Sequence, residues 1–339
     1  MPDLSLSIET LKLPLVHPFR IARSVEEVAR TAVFHLKWGD LEGLGEAVPI
    51  ARYGESIESI AAYFDRNPPR GQDPYLLDEL LAGIPVAARC GLDIALHDLI
   101  GKDCDRPLYQ LLGLDPSKTP YTSFTIGIGD PELTRRKIAE IGNHPILKVK
   151  LGSGSVKEEV ATIEFIRSLY TGTIRIDANE GWDVEQAVHV LAELARFDIE
   201  FCEQPIKAGH PDQLRYIKER SSIPIVADED ARIAEDLPNL RGCVDGINVK
   251  LVKCGGIRAA LNMIHTARAL GMKIMLGCMV ESSISATAAA QISPLVDWAD
   301  IDGPFLTKND PFEGVAYSGG KLALPRGPGL GVRQTAAAV

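Results

Sequence analysis

The feature that most constrains the fold is a strand–helix rhythm that begins near residue 121. Short apolar runs rich in Val and Ile recur there, at residues 146–149, 174–176, 199–202, 225–227, 246–249, 273–276 and 298–301. Segments with apolar residues at helical spacing separate them, most clearly at 156–168, 184–196 and 257–270. Buried strands that alternate with helices form parallel sheets. Seven or eight such units fit a (β/α)8 barrel better than an open sheet.

The residues before this rhythm predict a separate α+β module. Residues 5–13 and 32–38 largely alternate apolar and polar side chains, as half-buried antiparallel strands do. We expect a loop between them at 17–27, and a helix at 86–101 that ends on a glycine.

Three parts of the chain follow from these patterns. We expect an α/β fold in which an N-terminal α+β capping domain (1–120) precedes a (β/α)8 TIM-type barrel (121–305). The Gly- and Pro-rich residues 306–339 lack the rhythm, and we expect them to return to the capping domain and complete it.

Composition excludes several classes of function. The formal net charge of −10 leaves no basic face to neutralise the phosphates of a nucleic acid. The sequence contains no run approaching the roughly 18 apolar residues that span a membrane, and its start lacks the pattern of a signal peptide. We therefore expect a cytoplasmic protein that acts on a small molecule, and the sequence leaves open whether it forms a homo-oligomer.

Five consecutive strand-like runs each end in a charged residue. These residues are Lys148 and Lys150, Asp177, Glu203, Asp228 and Lys250. In a parallel barrel, the carboxyl ends of the strands meet at one face, and barrel active sites are built there. The six side chains are therefore predicted to form one site.

The three acids predict a site for a divalent cation. Asp177, Glu203 and Asp228 come from successive strands, and carboxylates at close range repel one another unless a cation compensates them. Oxygen ligands in an incomplete octahedral set are typical of Mg²⁺ and leave positions for substrate oxygens. A single acid at a strand end could equally cap the following helix, but three in succession flanked by lysines favour the metal.

The lysines predict two bases that face one another. Lys148 and Lys150 are two residues apart, so both side chains point the same way from an extended strand. Lys250 lies four strands further round, across an eight-stranded barrel from Lys150. We expect a lysine near other cations and partly removed from water to have its pKa lowered toward that of a base. Two such bases exchange a proton between opposite faces of one carbon, which inverts a stereocentre.

A metal and a further lysine complete this chemistry. Proton abstraction beside a carboxylate creates an enediolate dianion, which Mg²⁺ on the substrate carboxylate would stabilise. Lys148 would add a second positive charge at the same carboxylate. A Lys-x-Lys pair also occurs on solvated strand edges, but this pair follows a buried type of strand.

A set of motifs, in this order along the chain, resembles the enolase superfamily, muconate-lactonizing-enzyme subgroup. The motifs are GLGEAVP at 43–49, LKVK at 147–150, IDANEGW at 176–182, EQP at 203–205, ADE at 227–229 and NVKLVKCGG at 248–256. The resemblance covers nearly the whole chain. In that subgroup the functional lysine of this strand stands five residues before the Gly-Gly pair, which implies Lys250 rather than Lys253.

The resemblance also implies substrate contacts. Asp300 and Asp302 share one face of a strand and are similar to the Asp-x-Asp with which dipeptide epimerases bind the free α-ammonium group. A merely polar strand end is the alternative. Thr125, Cys278 and Val280 correspond to positions that line the substrate in the family.

Specificity is expected to come from two loops of the capping domain. The segments around Arg23 and Arg52 resemble loops of bacterial L-Ala-D/L-Glu epimerases, and arginine binds a carboxylate side chain well in bidentate geometry. The same arginines could instead pair with Glu26, Glu27 or Glu55, which would leave room for a cationic dipeptide.

The resemblance therefore implies a Mg²⁺-dependent isomerase that epimerises a dipeptide, with L-Ala-D/L-Glu from peptidoglycan peptides as the expected substrate. Alternatives are epimerases of cationic or hydrophobic dipeptides, and a cycloisomerase or o-succinylbenzoate synthase of the same subgroup. The substrates of a cycloisomerase or an o-succinylbenzoate synthase have no ammonium group for the Asp pair to bind. A non-catalytic binding protein on this barrel is a further alternative, which the complete set of acids and lysines disfavours.

Overall fold

The computed structural model describes residues 3–22, 24–69 and 73–335. An antiparallel sheet opens the chain, with strands β1 (Leu4–Ile21), β2 (Ser24–Trp38) and β3 (Leu41–Ala47) in that spatial order. The predicted loop at 17–27 is wrong, because β1 and β2 extend through it and Phe19 pairs with Glu26. The pairing register shifts between Pro14 and Phe19, which interrupts the alternation that identifies a strand in the sequence. Arg23 lies outside the described residues.

Four helices follow this sheet: α1 (Ile57–Arg66), α2 (Leu77–Leu81), α3 (Val86–Asp103) and α4 (Leu108–Leu111). The predicted helix at 86–101 is confirmed as α3, which packs against β3. Gly45 allows this close approach, since a Cβ there would lie 2.8 Å from the Ala95 nitrogen. A short 3₁₀ helix, Ala51–Tyr53, leads from the sheet to α1.

Eight parallel strands then form a sheet that nearly closes into a barrel, which confirms the predicted fold class. The strands are β4 (Phe124–Ile126), β5 (Ile146–Lys150), β6 (Thr173–Asp177), β7 (Ile199–Glu203), β8 (Ile225–Ala227), β9 (Gly246–Lys250), β10 (Lys273–Gly277) and β11 (Trp298–Asp300). They are hydrogen-bonded in sequence order. A bridge from Thr122 to Ala299 brings the two ends of the sheet together.

Helices lie between the barrel strands. They are α5 (Pro131–Ile141), α6 (Val156–Leu169), α7 (Val184–Leu194), α8 (Pro211–Lys218), α9 (Leu237–Leu240), α10 (Leu251–Cys254), α11 (Ile257–Ala269) and α12 (Ser283–Ile292). Among the described helices, none is both long and apolar enough to cross a membrane.

The strand pattern separates an apolar floor from a charged rim inside the barrel. Phe201, Val226, Met275 and Trp298 form a buried cluster of their own. They stand two residues before Glu203, Asp228, Gly277 and Asp300, and side chains two apart share one face of a strand. The equivalent positions on β5, β6 and β9 are polar, with Lys148, Arg175 and Asn248. The charged side chains at the carboxyl end of the barrel therefore lie above a level that is apolar on β7, β8, β10 and β11.

The C-terminal segment connects the capping sheet and helices to the barrel. It contains the short strands β12 (Phe312–Glu313), β13 (Ala316–Ser318), β14 (Lys321–Ala323) and β15 (Arg333–Gln334). The Leu330 nitrogen donates to Asp98 Oδ1 of α3 at 2.7 Å, and its carbonyl accepts from Gln291 Nε2 of α12 at 2.8 Å. One residue of this segment thus contacts both α3 and α12.

Candidate active site

Charged side chains form one layer at the carboxyl ends of the barrel strands. The parallel register aligns Lys150 with Asp177 and Asp177 with Glu203, and it aligns Gly277 with both Lys250 and Asp300. The side chains that strand order predicted to converge are brought together. Burial of so many charges requires that they compensate one another.

Lys148 is the centre of this layer. Its nitrogen lies 2.7 Å from Asp300 Oδ2, 2.5 Å from Glu203 Oε2 and 3.2 Å from Asp177 Oδ2. The side chain is 1% exposed. Burial opposes the charged form, but the three carboxylates outweigh it and raise the pKa of Lys148 well above its ordinary value. Lys148 is therefore a permanent cation.

Lys150 and Lys250 lie on opposite sides of the layer. Strands β6, β7 and β8 separate β5, which carries Lys150, from β9, which carries Lys250. Lys150 Nζ is 2.6 Å from Asp177 Oδ2, and Lys250 Nζ is 2.8 Å from Asp228 Oδ2. The two amines thus flank the space that the acids line.

The expected lowering of the lysine pKa is wrong for Lys250 in this arrangement. Burial alone would lower it, but Asp228 and Glu203 raise the pKa of Lys250 above its ordinary value. The sequence-based expectation counted the neighbouring lysines as the dominant charges. Contact with a carboxylate dominates instead, because the attraction grows steeply at short distance.

The negative charges of the three acids are buried close together, which is electrostatically unfavourable. Burial and then the charge of Asp177 raise the pKa of Glu203 to about 7. Burial also acts on Asp177, but Lys150 and Lys148 lower the pKa of that carboxyl to about 2. Glu203 Oε1 accepts a 2.7 Å hydrogen bond from Asn248 Nδ2. Glu203 is the member of the trio whose charge is least compensated.

The donor set fits a hard divalent cation, although the side chains are not in a coordinating arrangement. Within the described residues, no three His, Cys, Asp or Glu side chains are grouped closely enough to hold a metal ion. The lysines lie between the carboxylates, with Lys148 in contact with both Asp177 and Glu203. Three buried carboxylates with a raised Glu203 pKa are the surroundings that a dication would stabilise, and oxygen ligands match Mg²⁺.

The two aspartates near the end of β11 have different partners. Asp300 accepts hydrogen bonds from Lys148 and, at 2.6 Å, from Ser123 Oγ. Asp302 Oδ2 accepts from the Thr125 backbone nitrogen at 2.7 Å. Burial and the charge of Asp300 raise the pKa of Asp302 to about 6. Both carboxylates and Thr125 therefore border the layer, but Asp302 alone of this pair has no lysine contact in the described part of the chain.

A cavity of about 660 Å³ opens above the layer, between the barrel and the capping sheet. Lys250 and Val280 line it, whereas Cys278 lies beside Asp302, with its sulfur 3.7 Å from Oδ1. Burial raises the pKa of the Cys278 thiol well above its ordinary value, so the thiol is uncharged.

Arg52 also lines this cavity but contacts a different glutamate from those predicted. Its guanidinium makes a bidentate pair with Glu180 of the loop after β6, in which Nη2 lies 2.9 Å from Oε1. The sequence suggested Glu26, Glu27 or Glu55 as partners. The pair joins residues far apart in the chain, which local sequence does not reveal.

Lys253 also belongs to the site, although the motif resemblance implied a functional role for Lys250 and not for Lys253. Its nitrogen contacts Asp228 Oδ1 and donates to the Asp228 carbonyl at 2.6 Å and the Asn248 carbonyl at 3.1 Å. It is 4% exposed. The signal was present: α10 begins directly after Lys250, and residues three apart on a helix share a side.

Two family models together match most of the chain. "Mandelate racemase / muconate lactonizing enzyme, N-terminal domain" matches residues 6–113, and "Enolase C-terminal domain-like" matches residues 132–338. The L-Ala-D/L-Glu epimerase of Bacteroides thetaiotaomicron is 38% identical over 330 residues, which is 95% of this chain and 85% of that one.

Solved structures of similar shape include dipeptide epimerases in complex with ligands. The substrate-liganded L-Ala-D/L-Glu epimerase from Bacillus subtilis has a TM-score of 0.93 and 28% identity, with 100% of each chain covered. The dipeptide epimerase from Enterococcus faecalis, complexed with Mg and L-Leu-L-Tyr, has a TM-score of 0.91 and 31% identity, with 98% and 99% covered. These relatives act on or bind dipeptides whose second side chains differ widely.

Proposed function

Since this chain belongs to the enolase superfamily and is an isomerase of the racemase and epimerase type, we propose that it inverts the α-carbon of the C-terminal residue of a dipeptide with the help of Mg²⁺. The observation that carries the proposal is the placement of Lys150 and Lys250 on opposite sides of a buried acidic layer. Inversion by proton exchange needs one amine on each face of the carbon.

Asp177, Glu203 and Asp228 are the residues that would hold the metal. When bound, Mg²⁺ would supply the positive charge that makes removal of a proton beside the substrate carboxylate feasible. In the structure the same acids pair with lysines, Asp177 with Lys150 and Asp228 with Lys250, and the second contact raises the pKa of Lys250. A bound dication would compensate these carboxylates and so remove the cause of the raised pKa.

The three lysines of the layer would have two roles, proton transfer and stabilisation of negative charge. Lys150 and Lys250 would remove the α-proton from one face and deliver a proton to the other, with their roles reversed for the opposite epimer. Lys148, which its three carboxylate contacts keep charged, would stabilise negative charge that develops on the substrate carboxylate. The apolar floor below the layer excludes water and so strengthens these electrostatic effects.

The other end of the dipeptide would be held by Asp302. Asp300 is engaged by Lys148, whereas Asp302 accepts from the Thr125 nitrogen and has no lysine partner among the described residues. An ammonium group is the natural partner for a buried carboxylate whose charge is uncompensated. A requirement for a free amine distinguishes a dipeptide from the substrates of a cycloisomerase.

We take L-Ala-D/L-Glu, a dipeptide of peptidoglycan turnover, as the substrate to test first. Its support is the 38% identical relative and the arginine in the cavity. Arg52 would have to exchange Glu180 for the side-chain carboxylate of the substrate. Arg23, the second arginine of this proposal, lies outside the described residues.

The experiment follows proton exchange in D₂O with Mg²⁺ present, first with L-Ala-L-Glu and then with a library of L,L-dipeptides. Mass gain at the C-terminal α-carbon and appearance of the epimer are expected. Lys150→Ala and Lys250→Ala should each lower kcat for epimerisation by about 10²–10⁴-fold, and each should retain exchange with a different epimer. Lys157→Ala, an exposed lysine of α6, is the matched control and should match the wild type.

The outcomes separate the alternatives. No exchange with any dipeptide, together with turnover of a muconate or a succinylbenzoate precursor, would establish a cycloisomerase or synthase instead. Labelled products that carry Arg, Lys or apolar residues at the second position, and not Glu, would show that the role given to Arg52 is wrong while the two-lysine mechanism holds.

A further inference from the structure

A second cavity lies on the outer side of the barrel and meets the edge of the charged layer at Thr125. It has a volume of about 300 Å³ and lies between β1, β4, α5 and the 3₁₀ helix Gly303–Leu306. Thr125 is in register with Lys148, which points into the barrel, so the neighbouring Phe124 faces outward into this cavity. Its apolar walls are Val16, Phe19, Phe124, Ile141, Phe305 and Leu306.

A lysine with a largely buried side chain lines this apolar cavity. Lys137 of α5 is 6% exposed, and within the described residues it has neither a hydrogen bond nor an ion pair. Burial lowers the pKa of Lys137 and only the charge of Glu140 opposes this effect. An anion bound in the cavity would give this ammonium group a charged partner.

The other charged groups at the cavity already have partners or are neutral. His17 Nε2 lies 2.9 Å from Glu140 Oε2, whose side chain is 47% exposed, so this pair is at the solvent edge. Burial lowers the pKa of His144, which keeps the ring neutral, and its Nδ1 lies 3.0 Å from the Ile146 carbonyl. Lys137 is thus the buried cation of the cavity.

We propose that this cavity is a second binding site, separate from the catalytic one, for a small carboxylate with an aromatic or branched aliphatic body. The carboxylate would pair with Lys137, and the body would fill the space between Phe19, Phe124 and Phe305. The pairing would form a charge-assisted contact, and the fit of an apolar body gives the cavity its selectivity.

The lining of the cavity requires both parts of this ligand, the carboxylate and the apolar body. A carboxylate without an apolar body would leave the aromatic walls wet, and an apolar molecule without a carboxylate would leave the ammonium unpaired.

The test is calorimetric titration of the full-length protein with 3-phenylpropionate and with its neutral analogue 3-phenylpropanamide. Lys137→Met keeps the length of the side chain and removes its charge, and Glu140→Gln removes the neighbouring negative charge. We expect the acid to bind the wild type, Lys137→Met to weaken it about tenfold or more, and Glu140→Gln to strengthen it. Thermal melting by circular dichroism should show that Lys137→Met is at least as stable as the wild type.

Two results would overturn the proposal. One is equal binding of the acid to the wild type and to Lys137→Met, which would place the ligand at another site such as the barrel mouth. The other is equal binding of the acid and the amide to the wild type, or no binding of either. The titration measures binding alone, so a failure of the proposed epimerase activity would leave its outcome unaffected.

Discussion

Two aspartates of identical chemistry, two residues apart, differ in pKa because of what each one touches. Burial raises the pKa of both carboxyls, but Lys148 and Lys150 hold the pKa of Asp300 below its ordinary value. Asp302 lies next to that negative charge and has a pKa of about 6. At the residue scale, position relative to one lysine therefore assigns the two aspartates different roles, one as a partner of Lys148 and the other as a ligand for substrate.

This difference predicts a pH dependence of substrate binding. Asp302 is an anion above pH 6 and becomes neutral as the pH falls through about 6. The α-ammonium of a dipeptide stays charged over this range, since its pKa is near ~8. KM for the dipeptide is therefore expected to rise as the pH is lowered from 7.5 to 5.5, which steady-state kinetics will measure.

Asp302→Asn provides the control for this pH profile. It should raise KM at pH 7.5 by about tenfold or more, the worth of a charge-assisted hydrogen bond, and should remove the part of the pH slope that belongs to this carboxyl. A KM that rises with the same slope in both proteins would show that another group, such as Glu203 with its pKa of about 7, governs binding.

At the scale of single elements, the one-turn helix α10 supplies the site with a cation. Lys253 contacts the Asp228 side chain and several backbone carbonyls in a buried place. Lys253→Met is expected to lower the free energy of unfolding by about 1–3 kcal/mol, because it removes a buried charge-assisted contact while Lys250 still pairs with Asp228. Chemical denaturation followed by circular dichroism measures the change.

Lys218→Met of α8 is the matched comparison for α10. Lys218 also pairs with an aspartate, Asp245 at 2.9 Å, but both side chains are partly open to solvent. Its loss should cost no more than about 1 kcal/mol, as is typical of surface pairs. Equal losses in the two variants would show that burial of the Lys253 contact adds nothing to stability.

The elements themselves were largely predictable, and the reason is topological. A buried parallel strand needs a continuous apolar run, so all seven predicted barrel strands are found within a residue of the expected ends. The same topology brings their ends together, so convergence of Asp177, Glu203 and Asp228 followed from order alone. The strands at 5–13 and 32–38 were predicted and lie within β1 and β2, but their extension through the predicted loop at 17–27 was missed, because a register shift and charged residues hide the alternation there.

Partners of the site residues were less predictable than their positions. The bidentate contact of Arg52 with Glu180 joins the capping region to the loop after β6. The raised pKa of Lys250 depends on how close the Asp228 carboxylate lies to its amine. Both are set by distances in three dimensions that strand order does not specify. Sequence therefore predicted which side chains share the layer, but not which of them pair.

At the scale of the whole molecule, Asp98 joins three parts of the chain. Its Oδ2 accepts from the Leu44 nitrogen of β3 at 2.8 Å and from Lys102 at 2.7 Å, and its Oδ1 accepts from the Leu330 nitrogen at 2.7 Å. Gly329 presses against it with a φ of +67°. Because the same segment reaches α12, we expect this contact to hold the capping sheet over the barrel and so to keep the cavity above the charged layer in shape.

Gly329→Ala tests this connection. The new Cβ would overlap the Asp98 carboxylate and lie 2.5 Å from the Asp98 carbonyl oxygen, in addition to the cost of a left-handed backbone. Gly113→Ala has nearly the same φ, +69°, but meets no atom within 4 Å. We expect a loss of about 2–5 kcal/mol for the first variant and about 1–2 kcal/mol for the second.

The effect of Gly329→Ala should also be confined largely to the C-terminal segment. If the segment anchors the molecule, trypsin will cleave Gly329→Ala at Arg326 or Arg333 faster than it cleaves Gly113→Ala, and mass spectrometry will identify the sites. KM for the dipeptide should rise in the same variant, because a loosened capping sheet no longer closes the cavity over the substrate. Identical cleavage rates and identical KM values in the two variants would mean that the tail is only a surface cover. The position of the capping sheet would then depend on direct contacts between β3 and the start of α12, such as that of Glu46 with Ser282.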